Sequence, residues 1–231
     1  LQYQVSRFVL ISSDKAVYPS SVMGTTKKIA ELILQHLAGR GTTQFITVRF
    51  GNVLRSRGSV VPLFEQQIRT GGPVTVTHPE MTRYFMSIPE AVRLVLHSGA
   101  VGSSGDLCIL DMGKPVRIVD LAENMIRMAG RKPYEEIDIT FTGIRPGEKL
   151  AEELFVETEA RTLRKVDKIL LCGSEGCDWK WLDERLEHLR KAMEGCRREE
   201  IGEIFGQIVP SYQPSQVEVM KSNLAASDNG A

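Results

Sequence analysis

The order of residues 7 to 37 constrains the fold more than any other feature of the chain: a short apolar run, a polar tip and then an amphipathic stretch. The run from Phe8 to Ile11 is wholly apolar, which is typical of a strand buried on both faces of a parallel sheet. Pro19 and the serine pair after it break the chain and offer a helix cap. Met23 to Leu37 carries an apolar stripe at helical spacing and is therefore predicted to be a helix.

Strand and helix patterns continue to alternate along the chain. Gln44 to Asn52 is rich in β-branched and aromatic residues, which predicts a second strand with a polar end. Further helices are predicted over 58–70, 89–98 and 115–129, and further strands over 74–77 and 106–112. This alternation predicts the α/β class. In open α/β sheets, catalytic groups gather at the carboxyl ends of the strands, so the polar tips are the first candidates for a site.

Composition narrows the function classes. The 231 residues carry 29 lysines and arginines against 29 aspartates and glutamates, so no net charge draws the chain to nucleic acid or to anionic lipid. The four cysteines have neither zinc-type nor Cys-x-x-Cys spacing, which indicates free thiols in a reducing compartment and predicts no metal site. Cys172 and Cys177 flank a turn and could approach each other, although unlinked thiols are the preferred interpretation. No apolar run reaches the roughly 18 residues that a membrane helix needs, and no signal peptide opens the chain.

One glycine pattern is rejected as a cofactor loop. Gly99, Gly102 and Gly105 have the spacing of a dinucleotide-binding fingerprint. That mechanism needs a strand before the glycines and a helix after them, so that the helix amino terminus faces the pyrophosphate. Here the predicted order is helix first and strand second, and the glycines are interpreted as a helix stop and a turn.

The polar tip carries a recognisable motif. Ser13-Asp14-Lys15-Ala16 follows the first strand, and Lys27 lies one turn after Met23 on the predicted helix. This arrangement resembles the active-site segment of the extended short-chain dehydrogenase/reductases, where a Tyr-x-x-x-Lys pair follows a strand ending in Ser or Thr. The closer resemblance is to the nucleotide-sugar 4,6-dehydratases of bacterial polysaccharide biosynthesis, whose larger members carry methionine at the tyrosine position. It implies the carboxyl-terminal part of a Rossmann-like parallel sheet with a smaller α/β substrate-binding region.

The resemblance also implies a role for each residue of the polar tip. Asp14 would be the general acid and Lys15 the general base of dehydration, held on opposite sides of the sugar ring, which requires a protonated Asp14 and a neutral Lys15. Adjacent side chains at the end of a strand are expected to point in opposite directions. Ser13 would hydrogen-bond the reacting hydroxyl, and Lys27 would hold the nicotinamide ribose of NAD or NADP. Met23 occupies the tyrosine position, but a thioether is only a weak acceptor and cannot take a proton usefully. The remaining cofactor contacts are implied for Ser12, Phe50 and Gly51. The alternative is an ordinary surface Asp-Lys pair on a solvated turn.

Substrate contacts are implied at three places further along the chain. The strand ending in Arg-Phe-Gly-Asn-Val resembles one whose asparagine faces the substrate, here Asn52, which could equally be a turn residue. In related enzymes an arginine near Arg83 grips the diphosphate or uridine, a task suited to a planar fork of donors, and a surface ion pair is the even alternative. The loop Arg-Pro-Gly-Glu-Lys implies that Arg145 meets phosphates and Glu148 a sugar hydroxyl, although such a charged turn can arise anywhere.

Four regions are expected along the chain. Residues 1–57 are interpreted as the carboxyl-terminal part of an NAD(P)-binding Rossmann domain, because no glycine-rich first βαβ unit precedes them. Residues 58–182 form the substrate-binding region, with strands that return to the sheet. Residues 183–210 are expected to be charged, exposed helices, and residues 211–231 a disordered tail.

The function implied is that of a lyase converting UDP-N-acetylglucosamine to a UDP-4-keto-6-deoxy sugar. A nucleotide-sugar 4-epimerase is one alternative, although it has no need of the Asp14-Lys15 pair and relies on the tyrosine that Met23 replaces. The other alternative is a fragment that binds substrate without catalysing a reaction. The isolated chain is expected to be inactive. The resemblance further implies a UDP-sugar partner, a homo-oligomer and a cytoplasmic catalytic part, with a parent protein possibly anchored in the inner membrane by an absent amino-terminal region.

Overall fold

The structure, a computed structural model, describes residues 3–173 and 178–214. The expected tail from residue 215 onward, and Cys177 with the turn before it, lie outside the described residues. The strands are β1 (Arg7–Ile11), β2 (Gln44–Arg49), β3 (Asn52–Val53), β4 (Val74–Val76), β5 (Thr82–Arg83), β6 (Phe85–Met86), β7 (Leu107–Leu110), β8 (Val116–Arg117), β9 (Ile139–Phe141), β10 (Arg164–Val166) and β11 (Ile169–Cys172). The helices are α1 (Val22–Leu37), α2 (Val60–Arg69), α3 (Ile88–Val101), α4 (Ile118–Met128), α5 (Glu157–Ala160), α6 (Trp179–Glu194) and α7 (Arg198–Ile208).

The main sheet contains five strands in the order β1-β2-β7-β11-β10. Strands β1, β2 and β7 run parallel, with Val9 opposite Ile46 and Val48 opposite Cys108. Strand β11 pairs antiparallel with β7, and β10 pairs antiparallel with β11. Every residue of β7 is buried, as its wholly apolar sequence predicts for a central strand. The predicted α/β class with a parallel-rich, Rossmann-like sheet is confirmed.

The first helix begins where the serine pair predicts. Ser21 is the N-cap, and its hydroxyl accepts a hydrogen bond from the Gly24 backbone N–H at 3.2 Å. Ile29 and Leu34 are buried on the inner face of α1, which packs against β2. The amino-terminal end of this helix therefore lies beside the polar tip that follows β1.

Two predicted elements are divided by long-range pairing. The strand predicted over 44–52 stops at Arg49, and Asn52 starts β3, which pairs with β6 in a separate two-stranded sheet. The Asn52 N–H donates to the Tyr84 carbonyl at 3.0 Å, and this partner draws the chain away from the main sheet. Similarly, the helix predicted from residue 115 begins only at Ile118, because β8 pairs with β5 before the helix starts.

The charged helices near the carboxyl end bury one face each, contrary to the exposure that their charge pattern predicts. Leu182 and Ala192 of α6 are fully buried, and Phe205 of α7 is nearly so. They form one apolar cluster with Ile29 of α1. The sparse apolar positions are thus a core stripe, since an amphipathic helix needs only a narrow apolar face to pack.

The rejected glycine pattern lies at a helix end. Gly99 is within α3, and the Gly102 N–H donates to the Ser98 carbonyl at 2.9 Å as the helix finishes. Gly105 has a φ of 92° in the turn before β7, a conformation that favours glycine. A helix therefore precedes these glycines and a strand follows them, which confirms their interpretation as a stop and a turn.

Across the two described ranges, no helix combines the length and the apolar character needed to cross a membrane.

Candidate active site

The polar tip after β1 is a single turn of 3-10 helix, Asp14–Ala16. Ser13 caps it, because its hydroxyl accepts from the Lys15 backbone N–H at 3.3 Å. The Asp14 side chain is fully buried, and its Oδ1 accepts from the Ser13 hydroxyl at 2.8 Å and from Lys15 Nζ at 3.0 Å. Asp14 and Lys15 are therefore hydrogen-bonded neighbours at the carboxyl end of β1, and Asp14 is no solvated surface acid.

The Lys15 ammonium is surrounded by oxygen atoms from distant parts of the chain. Besides Asp14, it donates to the Asn52 side-chain oxygen at 3.5 Å. A third oxygen, Oε1 of Glu152, lies 3.7 Å from Nζ. The Lys15 side chain is nevertheless 31% exposed, so it also reaches the surface. The structure thus brings Ser13, Asp14, Lys15 and Asn52 together in one place.

Gly51 leaves room for the buried acid. A Cβ atom at this position would lie 2.9 Å from Asp14 Oδ2, a distance that real Cβ atoms essentially never show, and 3.0 Å from the Tyr84 Cβ, which is an unusually close contact. Asp14 Oδ2 has no hydrogen-bond partner among the described residues. Phe50, the residue before this glycine, packs on the main core, and its carbonyl accepts from the Asp14 N–H at 3.1 Å. The segment 50–52 therefore forms one wall around Asp14.

Three further residues of the motif, Lys27 and Met23 of α1 and Ser12 directly after β1, lie near the carboxyl end of β1. Lys27 Nζ donates to the Ile11 carbonyl at 3.1 Å, at the last residue of that strand. Met23 is 51% exposed, one turn earlier on α1. Ser12 points elsewhere: its hydroxyl is buried and donates to Glu31 Oε1 at 2.6 Å. Whether these three residues contact a cofactor stays a prediction.

A second group of predicted residues gathers around the loop that carries Arg145. Arg83 is buried and donates from Nη1 to the Thr82 carbonyl at 2.7 Å and to the Leu150 carbonyl at 3.2 Å, so it is not a surface ion pair. Its Nη2 lies 3.4 Å from Glu148 Oε1. The other oxygen of Glu148 accepts from the Arg145 N–H at 3.2 Å, while the Arg145 side chain is exposed. Glu148 thus contacts the guanidinium of the buried Arg83 and the backbone of the exposed Arg145.

The Arg145 loop is fastened directly to the chain beside the polar tip. The Ser20 hydroxyl donates to the Gly147 carbonyl at 2.8 Å. Lys149 Nζ donates to the Val17 carbonyl at 2.7 Å and lies 6.0 Å from the centre of the Tyr18 ring. The two groups of predicted residues are therefore parts of one connected region.

A buried charge cluster behind the site was missed from the sequence. Arg49 of β2 is fully buried and donates to both Glu31 of α1, at 2.6 and 3.0 Å, and Glu159 of α5, at 2.7 and 3.0 Å. Lys28 joins the cluster at 3.4 Å from Glu31 and 3.5 Å from Glu159. Burial alone would raise the pKa of each carboxyl, but the Arg49 and Lys28 charges hold the pKa of Glu31 and Glu159 below its ordinary value. Arg49 was the available signal, since it is a charged residue inside an otherwise apolar strand.

Glu152 was also missed. It is buried beside the polar tip, and this burial raises the pKa of Glu152 above its ordinary value. The Asp14 charge raises this pKa further, whereas the charges of Lys15, Arg83 and Lys149 lower it by less than the total increase. Its sequence context, Glu-Lys-Leu-Ala-Glu-Glu, looks like any solvated charged loop. Only the folded chain distinguishes the buried Glu152 from the exposed Glu153 next to it.

The chain is similar to bacterial proteins that are described as polysaccharide biosynthesis proteins. Residues 1–173 match the model of a family described as polysaccharide biosynthesis protein. The capsular polysaccharide biosynthesis protein CapD of Staphylococcus aureus is 62% identical over 72% of this chain and 28% of its own length. The probable polysaccharide biosynthesis protein EpsC of Bacillus subtilis is 52% identical over 81% of this chain and 31% of its own length. The chain thus spans about a third or less of these two relatives.

Solved structures agree on the fold. Pen from Bacillus thuringiensis is 35% identical, with a TM-score of 0.68 over 74% of this chain and 54% of that protein. A dTDP-glucose 4,6-dehydratase from Streptomyces venezuelae, solved with NAD bound, has a TM-score of 0.58 over 68% of this chain and 53% of the dehydratase. Its sequence is 17% identical to this chain, so the similarity shows the fold alone. Fold, motif and family match agree, and the chain belongs to the polysaccharide biosynthesis protein family as a CapD-like part of a short-chain dehydrogenase/reductase.

Proposed function

We propose that this chain supplies the acid-base half of a nucleotide-sugar 4,6-dehydratase that converts UDP-N-acetylglucosamine to a UDP-4-keto-6-deoxy sugar. The observation that carries the proposal is the contact between Lys15 Nζ and the fully buried Asp14 carboxylate at the carboxyl end of β1. A 4,6-dehydration needs both a base and an acid at neighbouring carbons of one sugar ring. An epimerisation at C4 needs no such pair.

NAD or NADP fits this region as the cofactor. Lys27 reaches the carboxyl edge of β1, and an ammonium has three donors, one of which goes to the Ile11 carbonyl. Gly51 keeps the wall beside Asp14 free of a side chain. Lys27 and Ser13 would hold the nicotinamide ribose and the reacting hydroxyl, with Ser12, Phe50 and Gly51 as further contacts. The bound cofactor would supply the acceptor for the C4 hydride and return that hydride to C6.

The chain's own groups would move the protons of the elimination. Lys15, neutral when it acts, takes the proton from C5, while protonated Asp14 gives its proton to the C6 oxygen. The C6–O bond breaks as the C5–C6 double bond forms, and the oxygen leaves as water. The Lys15 ammonium then returns a proton to C5 when C6 receives the hydride. The turn brings the two side chains to one place and removes Asp14 from solvent. Met23, as a thioether, takes no part in the proton transfers.

The second group of residues would bind the UDP-sugar. Arg145 is exposed and presents a planar fork of donors suited to a diphosphate. Glu148 is half-buried between Arg145 and Arg83, from where a carboxylate could accept from a sugar hydroxyl. Asn52, beside Lys15, would face the reacting ring. We further propose that residues 1–57 contribute to the NAD(P)-binding domain and residues 58–182 to substrate binding.

The test is product analysis in D2O with the native protein that carries this sequence, UDP-N-acetylglucosamine and added NAD or NADP. Dehydration produces a 4-keto sugar with a C6 methyl group and solvent deuterium at C5, both visible by NMR. Epimerisation produces a C4 epimer without deuterium at C5. Recovery of unchanged substrate, or of the epimer alone, would contradict the proposal, and tight substrate binding without any product would indicate a non-catalytic binding protein.

A further inference from the structure

Lys15 faces two buried carboxylates rather than one. The Glu152 side chain is only 4% exposed, and its Oε1 lies 3.7 Å from Lys15 Nζ, while Asp14 Oδ1 lies 3.0 Å from the same nitrogen. Glu152 comes from the segment after the Arg145 loop, so it is far from the Ser-Asp-Lys motif in the sequence. Nothing in the motif requires a second acid at this point.

The position of Glu152 costs stability. Its Oε2 has no hydrogen-bond partner within the described part of the chain and lies 4.0 Å from Lys149 Nζ. The charged groups that face it are Lys15, Asp14, Arg83 and Lys149. Burial raises the pKa of Glu152, and the Asp14 charge adds to this effect. A buried, incompletely paired carboxylate is unfavourable for folding, and such groups are concentrated at functional sites.

We propose that Glu152 is a positioning residue for Lys15: together with Asp14, its carboxylate holds the Lys15 amine where it takes the C5 proton. This rests on the proposed function. Asn52 contacts the same nitrogen at 3.5 Å through a neutral amide oxygen, so the two charged carboxylates are the main restraints on a side chain with four rotatable bonds. Without Glu152 the amine keeps Asp14 as a partner but loses its second carboxylate.

Two substitutions and one matched control test this role. Glu152→Gln keeps the shape and removes the charge, Glu152→Asp keeps the charge, and Glu153→Gln changes the exposed neighbour. In Glu152→Gln we expect kcat to fall on the order of 10- to 100-fold with KM within about threefold, because misplacement of a reacting group affects chemistry more than binding. Glu152→Asp should restore part of kcat, and Glu153→Gln should match the wild type.

Thermal unfolding separates positioning from a structural role. A carboxyl whose pKa is raised on folding contributes stability that is present below its ordinary pKa and is lost as the pH rises through the raised value. At pH 7, therefore, Glu152→Gln should unfold at the same temperature as the wild type or higher, even as kcat falls. A joint loss of kcat and of thermal stability, or an unchanged kcat, would overturn the inference.

A third measurement needs no turnover. The Glu152 carboxylate, 3.7 Å from Lys15 Nζ, restrains an amine whose side chain is 31% exposed. In the protein without substrate, Glu152→Gln should therefore make the Lys15 amine more accessible to an amine-directed reagent and speed its acylation, as followed by peptide mass spectrometry. Equal rates would refute the pairing. The acylation rate is measured without substrate, so it tests the contact between Glu152 and Lys15 independently of turnover. If the wild type did not dehydrate the substrate, that result would contradict the proposed function and leave this contact unaffected.

Discussion

At the scale of single residues, the turn after β1 gives two adjacent side chains very different surroundings. Asp14 is fully buried with one oxygen bonded to Ser13 and Lys15, whereas the Lys15 side chain keeps a third of its surface exposed. Gly51 matters because it has no side chain: a methyl group at this position would collide with the second oxygen of Asp14. The chemistry proposed for the site therefore depends on a few atoms that can be changed one at a time.

Removal of the Lys15 amine should abolish dehydration and leave nucleotide binding nearly unchanged. Lys15→Ala removes the proposed base, and loss of a general base typically costs about 10²- to 10⁴-fold in rate. The diphosphate contact proposed here is made by Arg145 and not by this amine, so calorimetric affinity for UDP should stay within about threefold. Lys114→Ala, at an exposed lysine, is the matched control. Turnover of the Lys15 variant at the wild-type rate would exclude Lys15 as the base.

A methyl group at position 51 should impair the acid. In Gly51→Ala the new Cβ starts 2.9 Å from Asp14 Oδ2, so either the carboxylate or the wall formed by Tyr84 must shift. Displacement of a catalytic group by about 1 Å can cost on the order of 100-fold in rate. Steady-state kinetics should show this loss, and Gly202→Ala, which places a Cβ in open space within α7, should behave like the wild type. Equal activity of the two variants would contradict the close packing at Asp14.

At the scale of elements, the sequence predicts those that local pattern specifies. The strand β1, the capped helix α1 and the helix before Gly102 were all predicted. The predicted burial of β1 on both faces was wrong, because β1 is an end strand of the five-stranded sheet and its residues are half-buried or exposed. The break after Arg49 was not predicted, because it depends on the distant Tyr84 carbonyl that accepts from Asn52. Local propensity cannot detect such a partner.

The buried cluster of Arg49, Glu31 and Glu159 joins β2, α1 and α5, and breaking it should destabilise the protein strongly. Arg49→Met removes the cation and leaves two buried carboxylates, with Lys28 as their remaining cationic partner in the part of the chain that the structure describes. Loss of one member of a buried ion pair costs about 3–5 kcal/mol of unfolding free energy. The exposed Arg190, paired on the surface of α6, provides the control: Arg190→Met should leave the free energy of unfolding nearly unchanged.

Urea unfolding measures both variants. Similar losses for Arg49→Met and Arg190→Met would show that the buried cluster contributes no more than a surface pair.

At the scale of the whole molecule, the same cluster should govern stability in acid. The pKa of Glu31 and of Glu159 is lowered on folding, so their contribution to the unfolding free energy is present above the ordinary carboxyl value of 4.5 and is lost as the pH falls through the lowered values. Urea midpoints should therefore fall steeply below about pH 4.5. Adding 0.5 M NaCl should change this pH dependence little, because buried ion pairs are weakly screened by salt. Midpoints that stay flat from pH 6 to pH 3 would contradict the expectation.

The candidate site could be predicted only in part at this scale. Asp14 and Lys15 adjoin in sequence, so a shared site was predicted. The expectation that their side chains point in opposite directions was wrong, because both lie in a 3-10 turn that brings Lys15 Nζ to 3.0 Å from Asp14 Oδ1. The meeting of Lys15 with Asn52 and Glu152 was not predicted, since it depends on how β3 and the segment after the Arg145 loop return to the end of β1. Charged residues in a loop have the same pattern whether they end buried or solvated, and tertiary packing alone decides between these outcomes.

The attachment of Gly147 to Ser20, and of Lys149 to Val17, has a practical meaning for enzyme engineering. A loop chosen to recognise a different sugar nucleotide cannot be grafted by itself, because it would arrive without the serine and the carbonyl that anchor it. Designers who exchange specificity between homologues should transplant residues 13–21 and 145–152 as a single cassette.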